Sequence, residues 1–248
     1  MTSTVFEPRA RRVASSMRLL VTTRDPHTRQ YRPVGFLTEE AGHYTFAYLR
    51  RELERSDFRP LPGLVAATKG PMSSGHLFPL FAERVISSRR PDRRDSFEAL
   101  GLPIDAAPME VLARSHGQRV GDTVELLSAP SVGIGDDVSF TFLTHGVRYL
   151  AEREQERISD LVPLEPLRLV VDHGNEVNPK AQLVTDTDEI RLGWLPDPLI
   201  DVVESVENPQ VVVEQANGPE VGFHFRLLVR FTGRATAEIF SGPSWDTL

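Results

Sequence analysis

The sequence predicts an α+β fold: a small antiparallel sheet with helices in the N-terminal part, followed by a second unit built mainly of strands. Three observations predict it. Three strand-like segments, MRLLVTT from Met17, YRPVGFLTEE and HYTFAYL, follow one another with turn residues between them. A Pro- and Gly-rich stretch then gives way to apolar residues at helical spacing. Beyond residue 138, short apolar runs are punctuated by Asn, Asp, Gly and Pro.

Length and composition narrow the class. A chain of 248 residues, 40% apolar and 25% charged, has enough apolar material for one large or two small packed units. It contains no cysteine, which excludes disulfides, thiolate metal sites and a cysteine nucleophile. No run of 18 apolar residues occurs and the N-terminus lacks an apolar signal stretch, so the expectation is a cytoplasmic protein without a membrane partner. A formal net charge of −7 argues against sequence-independent coating of nucleic acid, which needs a broad positive field, and leaves room only for a local basic groove. Among the 28 basic residues only Lys69 and Lys180 are lysines.

In chain order, residues 1–16 show no sustained period and read as a mobile arm carrying Arg9, Arg11 and Arg12. Residues 17–130 form the first unit. After the three-stranded meander, Leu77, Leu80, Phe81, Arg84 and Val85 predict a helix from about Ser74, with Ser74 as N-cap. Asp95 or Ser96 caps the next helix, which ends near Gly101. Asp105 opens a third, with Met109, Leu112 and Ala113 on its apolar face and Gly117 as its stop. Thr123 to Leu127 is a returning strand, and 129–137, APSVGIGDD, reads as a hinge.

The second unit spans residues 138–232. Phe140 to Leu150 alternates like a strand and runs into an Arg148-Tyr149 turn. Strands follow over Leu167 to Val171, Ala181 to Val184 and Ile190 to Leu195. Pro198 to Val206 is an amphipathic helix. Val211 to Val213 and Phe223 to Phe231 supply two more strands, the latter with Phe223, Phe225, Leu227, Val229 and Phe231 inward. Residues 233–248 read as a tail.

Two stretches resemble known families. The segment with Gly146, Arg148, Tyr149, Ala181, Gly193, Leu195 and Pro196 resembles the HIRAN domain, a small barrel-like β module of DNA-repair ATPases that also occurs as a free-standing bacterial protein. The resemblance implies a β-barrel with a short helix. It further implies a non-enzymatic protein binding single-stranded DNA or a DNA 3′ end, with Arg148 on phosphate and Tyr149 stacking. The loop Asn175-Glu176-Val177-Asn178 stands where that family usually has Asn-Pro-aromatic-Asp, so Asn178 takes the place of the acid that meets the terminal hydroxyl. Asn175, Asn178 and Lys180 are counted with this interface. In the first unit, Val34, Gly35, Leu37, Phe46, Tyr48, Pro60, Leu61, Leu77, Phe78 and Phe81 resemble the N-terminal subdomain of HipA-type toxin kinases. That resemblance implies the alternative role, an antitoxin-like module docking on a HipA-like kinase or another protein.

From the residues alone, a Tyr ring gives a stacking platform of about 1–3 kcal/mol per base, and a neighbouring Arg can hold phosphate. The bland alternative is a core-edge aromatic beside a solvated charge. Arg89, Arg90, Arg93 and Arg94 form the densest basic patch, either converging on a phosphate backbone or acidic partner, or solvated and paired with Asp92 and Asp95. Nothing points to catalysis or a cofactor. The seven histidines include no helical metal pair, and His145 and His173 are expected to be structural. Gly133-Ile134-Gly135 lacks the rest of a phosphate cradle, and Ser73, Ser74 and His76 show no oxyanion feature. The acidic groups Asp136, Asp137, Glu152, Glu154 and Glu156 read as solvated faces, with no metal assigned.

Overall fold

The computed structural model describes residues 16–25, 27–119, 121, 123–133 and 135–248. The Arg-bearing arm, with Arg9, Arg11 and Arg12, therefore lies outside the described residues. The α+β class holds: two antiparallel sheets carry six short α-helices among the described residues.

The first sheet begins with the expected meander, β1 (Met17–Arg24), β2 (Tyr31–Glu40) and β3 (His43–Tyr48), in which Leu19, Leu37 and Phe46 lie in cross-strand register. Helix α1 (Arg50–Leu53) follows, then β4 (Met72–Ser74), α2 (Pro79–Ala82), α3 (Arg93–Ala99), α4 (Pro108–Ser115) and β5 (Val124–Ser128). The sheet order is β4-β3-β2-β1-β5. Two helix starts differ from expectation for one reason. Proline at the first helical position has its φ already set and needs no partner for a missing N–H, so α2 begins at Pro79 and α4 at Pro108. Ser74 instead ends β4 opposite Tyr44, and its Oγ accepts a hydrogen bond from the His76 N–H. Neither Asp95 nor Ser96 caps α3; both lie inside it.

The second sheet contains β6 (Ser131–Val132), β7 (Asp137–Leu143), β8 (Pro166–Val171), β9 (Gln182–Thr185), β10 (Arg191–Trp194), β11 (Val206–Ala216) and β12 (Leu227–Ala235), in the order β10-β9-β8-β11-β12-β7-β6. Helix α5 (Glu152–Asp160) separates β7 from β8, and α6 (Ile200–Glu204) separates β10 from β11. The stretch expected as a hinge is a sheet edge: β6 pairs with β7, and the Ala129 N–H donates to the Arg18 carbonyl. The alternation expected from Phe223 fails at its start. Residues Phe223–Phe225 form a 3₁₀ turn with Phe223 exposed, and β12 begins only at Leu227. Leu227, Leu228, Val229 and Phe231 are all fully buried, because helices of the first unit cover the second face of the strand near Leu228.

The two sheets share a core. Leu20, Phe36, Leu49 and Leu127 of the first unit pack in one cluster with Phe140, Phe142, Val213 and Phe231 of the second. The segment expected as a tail closes this seam. Phe240 and Trp245 set their rings 5.5 and 6.1 Å from Phe36, the Arg50 N–H donates to the Asp246 carbonyl at 2.8 Å, and Leu248 N–H reaches Tyr48. Aromatic residues in a terminal segment have little to gain in water and much to gain over an exposed edge of the core. No helix among the described residues is long and apolar enough to cross a membrane. Since Trp245 is only partly buried, Trp245→Ala is expected to cost about 2 kcal/mol, below the range for a fully buried ring, read as a lower urea midpoint with an unchanged slope.

Candidate nucleic-acid interface

The Arg148-Tyr149 pair sits on a 3₁₀ turn, Val147–Tyr149, just beyond β7, where an extended strand running into the turn was expected. What holds the turn is glycine chemistry on both sides of one contact. The chain after Leu143 pairs with the end of β10 through two backbone hydrogen bonds between His145 and Trp194, at 2.8 and 3.0 Å. Gly146 then turns with φ of 74°, and a Cβ there would lie 2.5 Å from the Trp194 ring. Gly193 presses from the other strand, where a Cβ would meet the His145 carbonyl at 2.8 Å. Only residues without side chains allow so close an approach. Trp194 is fixed in turn by its indole N–H, which donates to Asp172 at 2.8 Å.

The platform thus presented is open. Tyr149 is 66% exposed, and the Arg148 guanidinium lies 4.6 Å from the centre of its ring while bonding its hydroxyl. Val147 anchors the turn in the core beneath. The turn packs against the 3₁₀ segment carrying exposed Phe223 and His224. On the other flank Tyr31 of β2 lies 5.2 Å from the His145 ring, with the Arg24 guanidinium 5.8 Å from the Tyr31 centroid. Burial, with the Glu125 charge adding to it, pushes the Tyr31 phenol up to about 12, so it remains a neutral donor at ordinary pH.

Behind this surface lies a buried polar cluster that no residue spacing foretells. Glu125 of β5 is 1% exposed, and one of its oxygens, Oε1, accepts from His116 Nδ1 at 2.7 Å, His145 Nε2 at 2.8 Å and Gln118 Nε2 at 3.1 Å. His116 ends α4 in the left-handed conformation, φ 55°, which aims its ring back at β5. Burial would raise the Glu125 carboxyl, but the His145 charge and the hydrogen bonds from both imidazoles hold it well below the usual carboxylate range. For His145, burial favours the neutral ring and is outweighed by Glu125, so its pKa is raised. Two histidines and a carboxylate within 4.8 Å have the composition of a metal site. The hydrogen bonds argue otherwise: His116 Nε2 accepts from the Leu143 N–H at 3.1 Å, which places the ring proton on Nδ1, facing Glu125. A metal at Nδ1 would push that proton to Nε2, against another donor. The cluster is an ion pair with a neutral bridging ring.

The other sequence-predicted residues divide. Asn175 is a turn builder: its Oδ1 accepts from the N–H groups of Val177 and Asn178. Asn178 gives its Nδ2 to Asp197 at 2.9 Å and receives the Lys180 N–H, so its amide is engaged on both sides. It lines a cleft of ≈ 240 Å³ between the sheets with Tyr31, Arg51, Asp197 and Asp201. Lys180 is exposed and points at Glu204 and Asp201. The arginine cluster does not converge. Arg90 is chelated by Asp92, while Arg93 turns inward over the Phe97 ring at 4.1 Å and donates to the carbonyls of Ile86 and Ile104. Arg89 and Arg94 remain exposed. Arg24, Tyr31, Phe223 and His224 were missed as site residues because they reach the turn only through tertiary packing.

No family model matches the sequence, and no curated protein matches it. Two solved structures are similar to part of the chain. One is a protein from Lactobacillus plantarum, with 16% identity and a TM-score of 0.31, covering 40% of this chain and 99% of that one. The other is the HIRAN domain of human HLTF, with 18% identity and a TM-score of 0.29, covering 42% of this chain and 83% of that one. Neither shows the resemblance of residues 17–130 to HipA-type kinases.

The ion pair predicts a pH profile. His145, whose pKa is raised above its ordinary 6.5, contributes stability that is full below pH 6.5 and lost as pH climbs through its folded value. Glu125, depressed from 4.5, contributes stability that is full above pH 4.5 and lost as pH falls toward its folded value. The pair's contribution therefore peaks between pH 4.5 and 6.5. Urea midpoints measured from pH 4 to 9 are expected to show that maximum, and Glu125→Gln to flatten it.

Proposed function

We propose that this chain is a non-enzymatic binding protein for single-stranded DNA, with the Arg148-Tyr149 turn as its contact surface. The observation that carries the reading is the exposed Tyr149 ring, 66% accessible, held on a rigid turn with a guanidinium already on it. A base stacks on such a ring without regard to its identity, and the guanidinium answers the phosphate beside it. Arg24 supplies further positive charge near Tyr31. Local charge of this kind is what a chain of net charge −7 needs to meet a polyanion at all.

The 3′ end is a finer question, and the cleft bears on it. A strand running from Tyr149 past Tyr31 would bring its terminus to Asn178, Asp197 and Asp201. Two carboxylates tolerate a hydroxyl and repel a phosphate. Asp197, held by the Asn178 amide, would then accept a hydrogen bond from the terminal hydroxyl in place of the acid missing from the loop.

The test is fluorescence anisotropy with single-stranded oligonucleotides ending in a 3′-hydroxyl or a 3′-phosphate, beside a duplex, over a salt series. Tyr149→Ala is expected to weaken single-strand binding by about tenfold or more. Arg148→Ala should lower the salt slope by about one. The 3′-phosphate strand should bind less tightly than the 3′-hydroxyl strand. Absence of single-strand binding at low salt overturns the reading, and equal binding of the two ends removes its terminal part.

A further inference from the structure

On the seam between the sheets, apart from the Tyr149 surface, lies a larger cavity of ≈ 510 Å³. Three guanidiniums reach it from three different elements: Arg18 from β1, Arg114 from α4 and Arg230 from β12. One carboxylate answers them. Glu214 of β11 takes Arg114 on Oε1 at 2.9 Å and Arg230 on Oε2. Arg18 has no carboxylate within ion-pair reach among the described residues; it is exposed, and its guanidinium lies 3.5 Å from the Phe36 ring centre. The described lining thus carries three guanidiniums against one carboxylate. Arg18 is exposed and the Arg230 side chain is 42% exposed, so their charges stay hydrated and their planar forks are open to the oxygens of a ligand.

We propose that this cavity binds a small phosphate ester of about nucleotide size. The charge fits: a phosphate monoester carries about −1.5 to −2 at neutral pH, where a carboxylate carries only one charge. So does the geometry, because the planar fork of Arg matches phosphate oxygens in pairs. Ser139 and Thr141 of β7 add hydroxyl donors, Thr141 standing opposite Arg230 in the ladder. The non-phosphate end meets Phe140 and Phe240, which give the same cavity an apolar wall. Because the lining comes from β1, α4 and the second sheet, an occupied cavity ties the two units together.

The proposal does not depend on the DNA reading. It is tested by isothermal titration calorimetry of the full chain with adenosine 5′-diphosphate, inorganic phosphate, citrate and adenosine. The expected result is saturable one-to-one binding of the diphosphate, tighter than phosphate or citrate, with no binding of adenosine. Arg18→Ala and Arg230→Ala should each weaken it by about tenfold. Glu214→Gln, which removes the competing carboxylate, should strengthen it several-fold. Arg18→Lys and Arg230→Lys keep the charge and the fold while losing the fork, and should lie between wild type and the alanine variants. Tyr149→Ala should leave diphosphate binding unchanged while weakening oligonucleotide binding. No saturable diphosphate binding, binding indifferent to both arginines, citrate or free phosphate binding as tightly, or displacement by a thymidine oligonucleotide would each overturn it.

Discussion

The rest of the structure turns on a single buried carboxylate. Glu125 brings no apolar area to the core and is costly to bury, yet it sits where the two units meet and is bonded by side chains from both. His116 comes from the end of a helix in the first unit, His145 from the turn that leaves the first long strand of the second. A buried charge is tolerated only when its partners are placed to meet it. Satisfying Glu125 therefore fixes the relative position of β5 and the start of the Arg148-Tyr149 turn, which apolar packing alone would leave free to slide.

That fixed start sets the geometry of the proposed contact surface. From His145 the chain is bonded to Trp194, bends at Gly146 where nothing larger fits, and delivers two side chains to solvent over an anchored Val147. A stacking platform on a mobile loop would lose part of its binding energy to ordering; one held by a tryptophan and two glycines has little left to lose. Asn175, attractive as a ligand in the sequence, spends its Oδ1 on the loop itself, and Asn178 divides its amide between the loop and Asp197.

The charge layout separates the surfaces. The cleft beneath Tyr31 carries Asp197 and Asp201 against Arg51, whereas the opposite cavity carries three arginines against Glu214. In a chain of net charge −7 such positive concentrations are local features, set by which strands lie next to one another. The Arg89–Arg94 run, the densest positive stretch in the sequence, instead disperses into a chelated pair, an inward-turned side chain and two solvated ones.

The sequence by itself determined most of the local structure: the meander of β1 to β3, the returning strand at Val124 and most strands of the second unit. These are read from short periods of apolar residues and from Gly and Pro, whose preferences act within a few positions. Only the tertiary structure decided the rest. Whether Phe240 and Trp245 form a tail or a cover depends on Phe36, some 200 positions earlier. Whether His145 is a bystander or half of an ion pair depends on Glu125, 20 residues back on another sheet. Such pairings have no period to betray them, since they exist only once the burial of apolar surface has brought distant strands together.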